Sequence, residues 1–264
     1  VSEHDALLAL ASRIARAAGA IQRERFETAL EVRTKSASID LVTEVDHACE
    51  ALIVREIHAA RPGDAILAEE GSGEDRRDAE WRWVIDPLDG TMNYAHGYPR
   101  FCVSIGIQRG GRSEVGVVYD PLLDELYVGL RGRGATRNGK PIRVSQVREL
   151  GQALLATGFA YDVHQSFDDN VDHFAAFVKR ARGLRRDGSA ALDLCYVAAG
   201  RFDGFWELKL KPWDVAAGSL IVEEAGGRTS DFSGGPAAGD GRQTLASNGW
   251  LHDAMLALLE RKRA

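Results

Sequence analysis

The chain has 264 residues, a formal net charge of −6, 45% hydrophobic residues and 27% charged residues. That length and composition suit an ordinary globular protein of one large domain or two closely packed ones. The negative balance argues against broad binding to nucleic acid or to an anionic membrane, which calls for a basic face, but leaves a phosphorylated substrate open because a bound metal inverts the local field.

Cys49, Cys102 and Cys195 are scattered, with no C-x-x-C pair. This argues against zinc ligation and a disulfide framework and in favour of a reducing compartment. No apolar run approaches the ~20 residues of a membrane span. Glu3, Asp5, Arg13 and Arg16 break up the apolar core that a signal peptide would show near the start. The cytoplasm is the expected location, with no membrane partner.

In chain order, Leu7, Ala11, Ile14, Ala18 and Ile21 step by four and three, predicting an amphipathic helix over 4–27. Lys35 follows in a polar stretch. Thr43 and Asp46 have capping-box spacing before a second helix that runs to Ala60. On its own, Asp46 reads equally well as that cap and nothing more. Ile66-Leu67-Ala68 is a short strand that ends in Glu69 and Glu70, and the charged stretch 71–80 reads as a surface loop.

Trp83, Val84 and Ile85 predict a buried strand ending on Asp86, with its turn at Pro87, Leu88, Asp89, Gly90 and Thr91. Beyond it, FCVSIGIQR, GVVYDP, ELYVGL and, after an Asn138-Gly139 turn, PIRVS predict an antiparallel run. Gly132-Arg133-Gly134 has no following helix and reads as a strand turn rather than a dinucleotide loop. From 145 onward strand and helix alternate: a strand over 153–158, a helix over 167–182, Gly188-Ser189 before a helix over 190–199, a strand at Phe205–Leu208, a helix opening at Trp213-Asp214 and ending at Gly226-Gly227, a strand near Thr244 and a last helix from Trp250. This predicts two domains, an α+β half over 1–145 and an α/β half over 146–264.

The chemistry lies in acids at element ends. Asp86 and Asp89 are three residues apart at the end of a buried strand. At an effective dielectric of 20, two unit charges about 4 Å apart repel by roughly 4 kcal/mol. One is protonated, or they diverge, or a cation lies between them. An all-oxygen set favours Mg²⁺. Glu69 leaves its strand in the same way, and Asp214 opens its helix, where a cap is the alternative. Four converging acids would make a two-metal clamp for phosphoryl transfer. Gly90 and Thr91, at a helical start, would aim free amides at a phosphate.

DPLDGTMNYAHGYPRFCVSIG at 86–106, ILAEEG at 66–71, DLVTEVD at 40–46 and WDVAAG at 213–218 resemble the motifs of the inositol monophosphatase family, in the family's order and over nearly the whole chain. GSAALDLCYVAAGRFDGFWE at 188–207 is similar to bacterial inositol-1-phosphatase-like members. The resemblance implies a layered α-β-α-β-α sandwich of the inositol monophosphatase and sugar phosphatase type. It implies Glu69, Asp86 and the Leu88 carbonyl on a first Mg²⁺, and Asp86, Asp89 and Asp214 on a second, with Glu69 and waters offering a weaker third. Thr91, oriented by Asp46 and acting with Glu69, would place the attacking water. Gly90 and Thr91 would bind phosphate, and Asp89, Gly188, Ser189, Ala190 and Glu207 would face the substrate. Lys35 matches a lysine near the family site, though a solvated surface lysine is an equal reading.

The implied reaction is hydrolysis of myo-inositol-1-phosphate by direct water attack, inhibited by lithium, in a homodimer. Asp86 is followed by proline, and the acids are spaced by three. Haloacid dehalogenase-class enzymes instead space them by two and form an aspartyl-phosphate. Histidinol phosphate is the runner-up, ahead of fructose 1,6-bisphosphate and 3′,5′-bisphosphonucleosides, because a Glu207 carboxylate would attract its amine and repel a second phosphate. A non-catalytic binding role on the same fold is the alternative of a different class. Met92 departs from the threonine many members carry, and 160–186 follows the family only loosely.

Overall fold

Apolar periodicity sorts the chain into five layers. The computed structural model describes residues 2–76, 78–237 and 239–260. Helices α1 (Glu3–Arg25) and α2 (Glu44–Ala60) are joined by a two-stranded ribbon, β1 (Val32–Thr34) and β2 (Leu41–Thr43). Each helix begins in a capping box, Ser2 with Asp5 and Thr43 with Asp46. Each buries one stripe, Leu7, Ala11, Ile14 and Ala18 on α1 and Val45, Cys49, Ile53 and Ile57 on α2. Those stripes cover one face of a seven-stranded sheet, order β3-β4-β5-β6-β7-β8-β9.

The strands of that sheet are β3 (Ala65–Ala68), β4 (Trp81–Asp89), β5 (Cys102–Arg109), β6 (Arg112–Asp120), β7 (Glu125–Leu130), β8 (Gly134–Arg137) and β9 (Lys140–Pro141). A short helix, α3 (Thr91–Ala95), follows β4. Only β3 and β4 pair in parallel; the others are antiparallel. The second sheet has the order β11-β10-β12-β14-β13 and is mixed. Its strands are β10 (Leu154–Thr157), β11 (Gly183–Arg185), β12 (Gly204–Leu208), β13 (Arg228–Ser230) and β14 (Gln243–Ser247). Helices α5 (Ala190–Ala198) and α6 (Pro212–Glu224) fill the space between the sheets, and α4 (Val171–Val178) and α7 (His252–Leu259) close the outer face. The result is the α-β-α-β-α sandwich. Among the described residues no helix is long and apolar enough to cross a membrane.

Helix α6 is seated on a stripe of glycines. Gly106, Gly116 and Gly129 stand side by side on β5, β6 and β7, in register. A Cβ at Gly106 would lie 2.7 Å from the Ala216 Cβ, one at Gly116 2.7 Å from the Ala217 carbonyl oxygen, and one at Gly129 3.0 Å from the Ile221 Cα. From the other side, Gly218 admits α5, since a Cβ there would meet the Leu194 Cβ at 2.7 Å. Small residues on both surfaces let α6 approach the sheet that carries Asp86 and Asp89.

Several elements differ from expectation. Strand β4 does not end on Asp86. It runs to Asp89 through an irregularity between the Asp86–Ser104 and Asp89–Cys102 pairs, where Pro87 has no N–H to offer a ladder. Helix α4 begins only at Val171, because Asn170 has a left-handed backbone (φ 69°) and its amide is held by Thr157 and Gly158. The chain after Val178 becomes the edge strand β11 instead of more helix. Of PIRVS only Pro141 is paired in a strand, since Val144 turns away to donate to the Ala225 carbonyl. Asp214 is the third residue of α6, behind Pro212 and Trp213.

Gly116→Ala tests the seating of α6. Overpacking of this kind costs about 1–3 kcal/mol, measurable by urea denaturation, and the variant should also bind divalent metal more weakly because Asp214 moves with the helix.

Candidate active site

The carboxyl end of β4, the start of α6 and the end of β3 deliver acids to one place. One carboxylate oxygen from each of Asp86, Asp89 and Asp214 lies within 4.8 Å of the others. Each acid is oriented by a backbone amide. Asp86 Oδ1 accepts from Leu88 N at 3.0 Å, Asp89 Oδ2 from Ala191 N at 2.8 Å, and Asp214 Oδ2 from Lys211 N at 2.7 Å. Gln22, buried on α1, donates to the Pro87 carbonyl at 2.7 Å and steadies the β4 irregularity from behind. Glu69, just past the end of β3, is near enough for its charge to push the Asp86 pKa up further.

Burial pushes the pKa of Glu69, Asp86, Asp89 and Asp214 up, and repulsion within the group adds to it at Asp86 and Asp214. At Asp89, hydrogen bonds from Ser189, Ala191 and Ala190 oppose the rise. Among the described residues no lysine or arginine pairs with Asp86, Asp89 or Asp214. Lys35 Nζ instead sits 2.9 Å from Glu69 Oε1 and also contacts Glu70, while the residue as a whole stays exposed. Three converging acids, Asp86 buried and the others at least half-buried, all oxygen donors and lacking a basic partner among the described residues, fit a hard divalent cation.

Thr91 Oγ1 lies 2.8 Å from Asp46 Oδ1 and 3.0 Å from the Leu88 carbonyl, with one hydrogen for both. The other Asp46 oxygen takes Thr43 N at 2.8 Å and Thr43 Oγ1 at 2.6 Å. Asp46 is therefore a cap and a partner of Thr91 at once. Gly90 has φ 100°, and a Cβ there would lie 2.8 Å from the Arg100 carbonyl oxygen, so no other residue fits this turn without strain.

The second sheet and α5 supply the opposite wall. Ser189 Oγ donates to Asp89 Oδ2 at 2.7 Å, and Ala190 follows it at the helix start. Gly188 (φ 81°) leads into this turn, and a Cβ there would meet Arg186 Nη1 at 2.9 Å. Glu207, near the end of β12, is buried. Its pKa is pushed up to about 8 by that burial, with Arg186 pulling the other way. Gly158 presses on it, since a Cβ there would lie 2.3 Å from both carboxylate oxygens.

Sequence reasoning missed several residues that shape this crevice. Asn93 Nδ2 donates to the Arg100 carbonyl at 2.7 Å and the Asp187 carbonyl at 2.8 Å, tying α3 to the loop before Ser189. Glu50 accepts the amides of Glu70 and Ser72. It lies one turn after Asp46 on the buried face of α2, so helical spacing could have found it. Asn93 carried no such signal. A separate cleft of about 420 Å³, bordered by Gln108, Arg131, Glu223 and Gln243, contains none of the site acids.

The inositol monophosphatase family model matches residues 3–263. The chain belongs to the inositol monophosphatase family. It is 45% identical over 230 residues to the Nus factor SuhB of Vibrio cholerae, covering 87% of this chain and 86% of that protein. It is 43% identical over 248 residues to the inositol-1-monophosphatase of Synechocystis, covering 94% and 86%. Among solved structures, an inositol monophosphatase from Anabaena superposes with a TM-score of 0.88 at 44% identity over 98% of this chain and 96% of that one. The extragenic suppressor protein suhB of Bartonella henselae gives 0.91 at 36% identity over 98% and 100%. The sandwich described above is the fold of the inositol monophosphatase family.

Carboxyl groups whose folded pKa is raised hold more protons folded than unfolded, so stability falls as pH rises through that interval. For Glu207 the window runs from the ordinary 4.5 to about 8. With EDTA present, the melting temperature should therefore drop by roughly 3 °C or more between pH 5 and pH 8. Saturating Mg²⁺ should flatten that slope. A metal-free melting curve that is flat or rises with pH contradicts the electrostatic description.

Proposed function

We propose that the chain is a Mg²⁺-dependent phosphatase of small phosphate monoesters, with myo-inositol-1-phosphate as its best substrate. The observation that carries this reading is the meeting of Asp86, Asp89 and Asp214 within 4.8 Å, without a basic partner among the described residues. Glu69, Asp86 and the Leu88 carbonyl would hold one Mg²⁺; Asp86, Asp89 and Asp214 would hold a second; Glu69 with waters offers a weaker third site. Bound Mg²⁺ supplies positive charge for the transferring phosphoryl group and acidifies a ligated water.

The chain's own residues do the rest. Thr91, its hydroxyl hydrogen directed to Asp46, presents a lone pair to the attacking water, and Glu69 takes the water's proton. Gly90 and Thr91 amides receive the phosphate oxygens. Gly188, Ser189, Ala190, Asp89 and Glu207 face the alcohol being released. No aspartyl-phosphate forms, because Asp86 and Asp89 are both engaged as ligands. In this reading 1–145 carries the metal and phosphate site, and 146–264 completes it with Asp214 and the substrate wall. The protein works in the cytoplasm, as a homodimer, and needs neither nucleic acid nor membrane for turnover.

Glu207 favours a polyol. Burial pushes its pKa up to about 8, so in the metal-free chain it tends to the neutral form, which both donates to and accepts from hydroxyls and offers less charge to a histidinol ammonium. Its neutral form also weakens the repulsion expected of a second phosphate, so bisphosphates belong in the same screen. A second reading, a binding role in transcription, is favoured by the Nus factor name of relatives such as that of Vibrio cholerae.

Phosphate release should be fastest from inositol-1-phosphate when compared with histidinol phosphate, fructose 1,6-bisphosphate and a 3′,5′-bisphosphonucleoside. It should vanish with EDTA and fall with lithium. Asp214→Asn should lower kcat by about 10²–10³-fold, as loss of a transition-state charge partner does, while the fold stays intact by circular dichroism. Near-normal turnover in that variant refutes the two-metal assignment.

A further inference from the structure

Helix α2 carries a second carboxylate turned into the protein, one turn beyond Asp46. Glu50 is fully buried. Its Oε2 accepts from Glu70 N at 2.7 Å and its Oε1 from Ser72 N at 2.8 Å. No lysine or arginine pairs with it among the described residues, so both oxygens are committed to the backbone of the segment just after Glu69. On the far side, Lys35 contacts the Glu69 and Glu70 side chains. The segment that follows β3 is thus held at its amides by α2 and at its carboxylates by Lys35. Asp46, four residues before Glu50, holds the Thr91 hydroxyl at 2.8 Å.

We propose that Glu50 is a positioning residue for the metal and water site, and that α2, through Asp46 and Glu50, sets the distance between Thr91 and Glu69. The proposal rests on the phosphatase reading for the role of Glu69, but its physical content is the placement of that carboxylate. A rigid helix has a fixed rise of about 1.5 Å per residue. Two carboxylates on one face, four residues apart, therefore act as a ruler: one end is tied to the loop after β4 and the other to the loop after β3. Each loop carries one of the two groups proposed to handle the attacking water. Glu50 never touches substrate or metal; it acts through the backbone of 70–72.

A glutamine separates this role from bulk. Glu50→Gln keeps the volume but has one carbonyl and one NH₂, so it satisfies one amide and confronts the other with a donor. Glu50→Asp keeps the charge and shortens the reach. A buried neighbour outside the ruler, Cys49→Ala, serves as the packing control, since Cys49 faces α1 and its Sγ contacts the Ala18 carbonyl.

The test measures Mg²⁺ or Mn²⁺ binding by calorimetry, hydrogen exchange at the Glu70 and Ser72 amides, and kcat against Mg²⁺ concentration. E50Q should fold, lose protection at one or both amides, and bind metal about 10–100-fold more weakly, the usual cost of removing a group that orients a ligand. E50D should fall between E50Q and the parent. C49A should lower the melting temperature without moving metal affinity. Unchanged metal affinity in E50Q, or unchanged exchange at both amides, overturns the proposal. So does an equal loss of metal affinity in C49A. Weakened metal binding in E50Q, in a parent chain that releases phosphate from no substrate, upholds the ruler and refutes the phosphatase reading instead.

Discussion

The structure depends on forcing like charges together. At an effective dielectric of 20, each pair of carboxylates about 4 Å apart repels by roughly 4 kcal/mol, and burial adds a desolvation cost to each. Left to themselves, Asp86, Asp89 and Asp214 would separate into solvent. They meet because the elements that carry them have stronger reasons to pack. Strand β4 is an interior strand, buried between β3 and β5, and α6 is clamped between the glycine stripe and α5. The hydrophobic layers provide the force, and the acids are carried along.

Glycine decides where that force is applied. A helix with ordinary side chains on both surfaces stands 8–10 Å from its neighbour. With Gly106, Gly116 and Gly129 beneath Ala216, Ala217 and Ile221, no Cβ on the sheet side holds the two surfaces apart. The approach brings the first turn of α6 level with the end of β4, which is where Asp214 must be. The same logic recurs at smaller scale. Gly90 lets the turn after β4 pass under the Arg100 carbonyl, and Gly158 lets Glu207 stand against bare backbone. Each glycine lies at a contact beside a side chain of the candidate site, so that site is encoded in its packing as much as in its acids.

Much of this was legible in the sequence where a local rule and the global fold agree. The Thr43–Asp46 box starts α2 in the structure, the apolar steps of α1 face the core, and the acids at 86, 89 and 214 converge. What could not be read depends on partners distant in sequence. Nothing local announces that β4 continues past Pro87, because the irregularity is stabilised by Gln22, sixty-five residues away. The helical pattern of 167–182 is overridden at Asn170, whose left-handed backbone is held by Trp206, Thr157 and Gly158. β11 and β13 are three-residue edge strands, and pairing with β10 and β14 defines them more than their own composition does. Helical spacing puts Glu50 on the buried face of α2, but not its two amide partners, which belong to another element.

For several of these acids the choice between a structural and a chemical role is a false one. A carboxylate has two oxygens. Asp46 gives one to the start of α2 and one to Thr91. Asp86, Asp89 and Asp214 each commit one oxygen to a backbone amide and leave the other for the crevice. Asp46 and Asp214, each the third residue of its helix, bond back to the residue before the helix with one oxygen and keep the second for another partner. The amide fixes the side-chain rotamer before any ligand arrives, so the free oxygens need little reorganisation to meet a cation. It also explains how the fold tolerates the cluster: each amide brings a partial positive charge to an acid that has no ion-pair partner among the described residues. Replacing a cap by alanine would thus cost stability and site geometry together, and neither effect alone would reveal what the residue does.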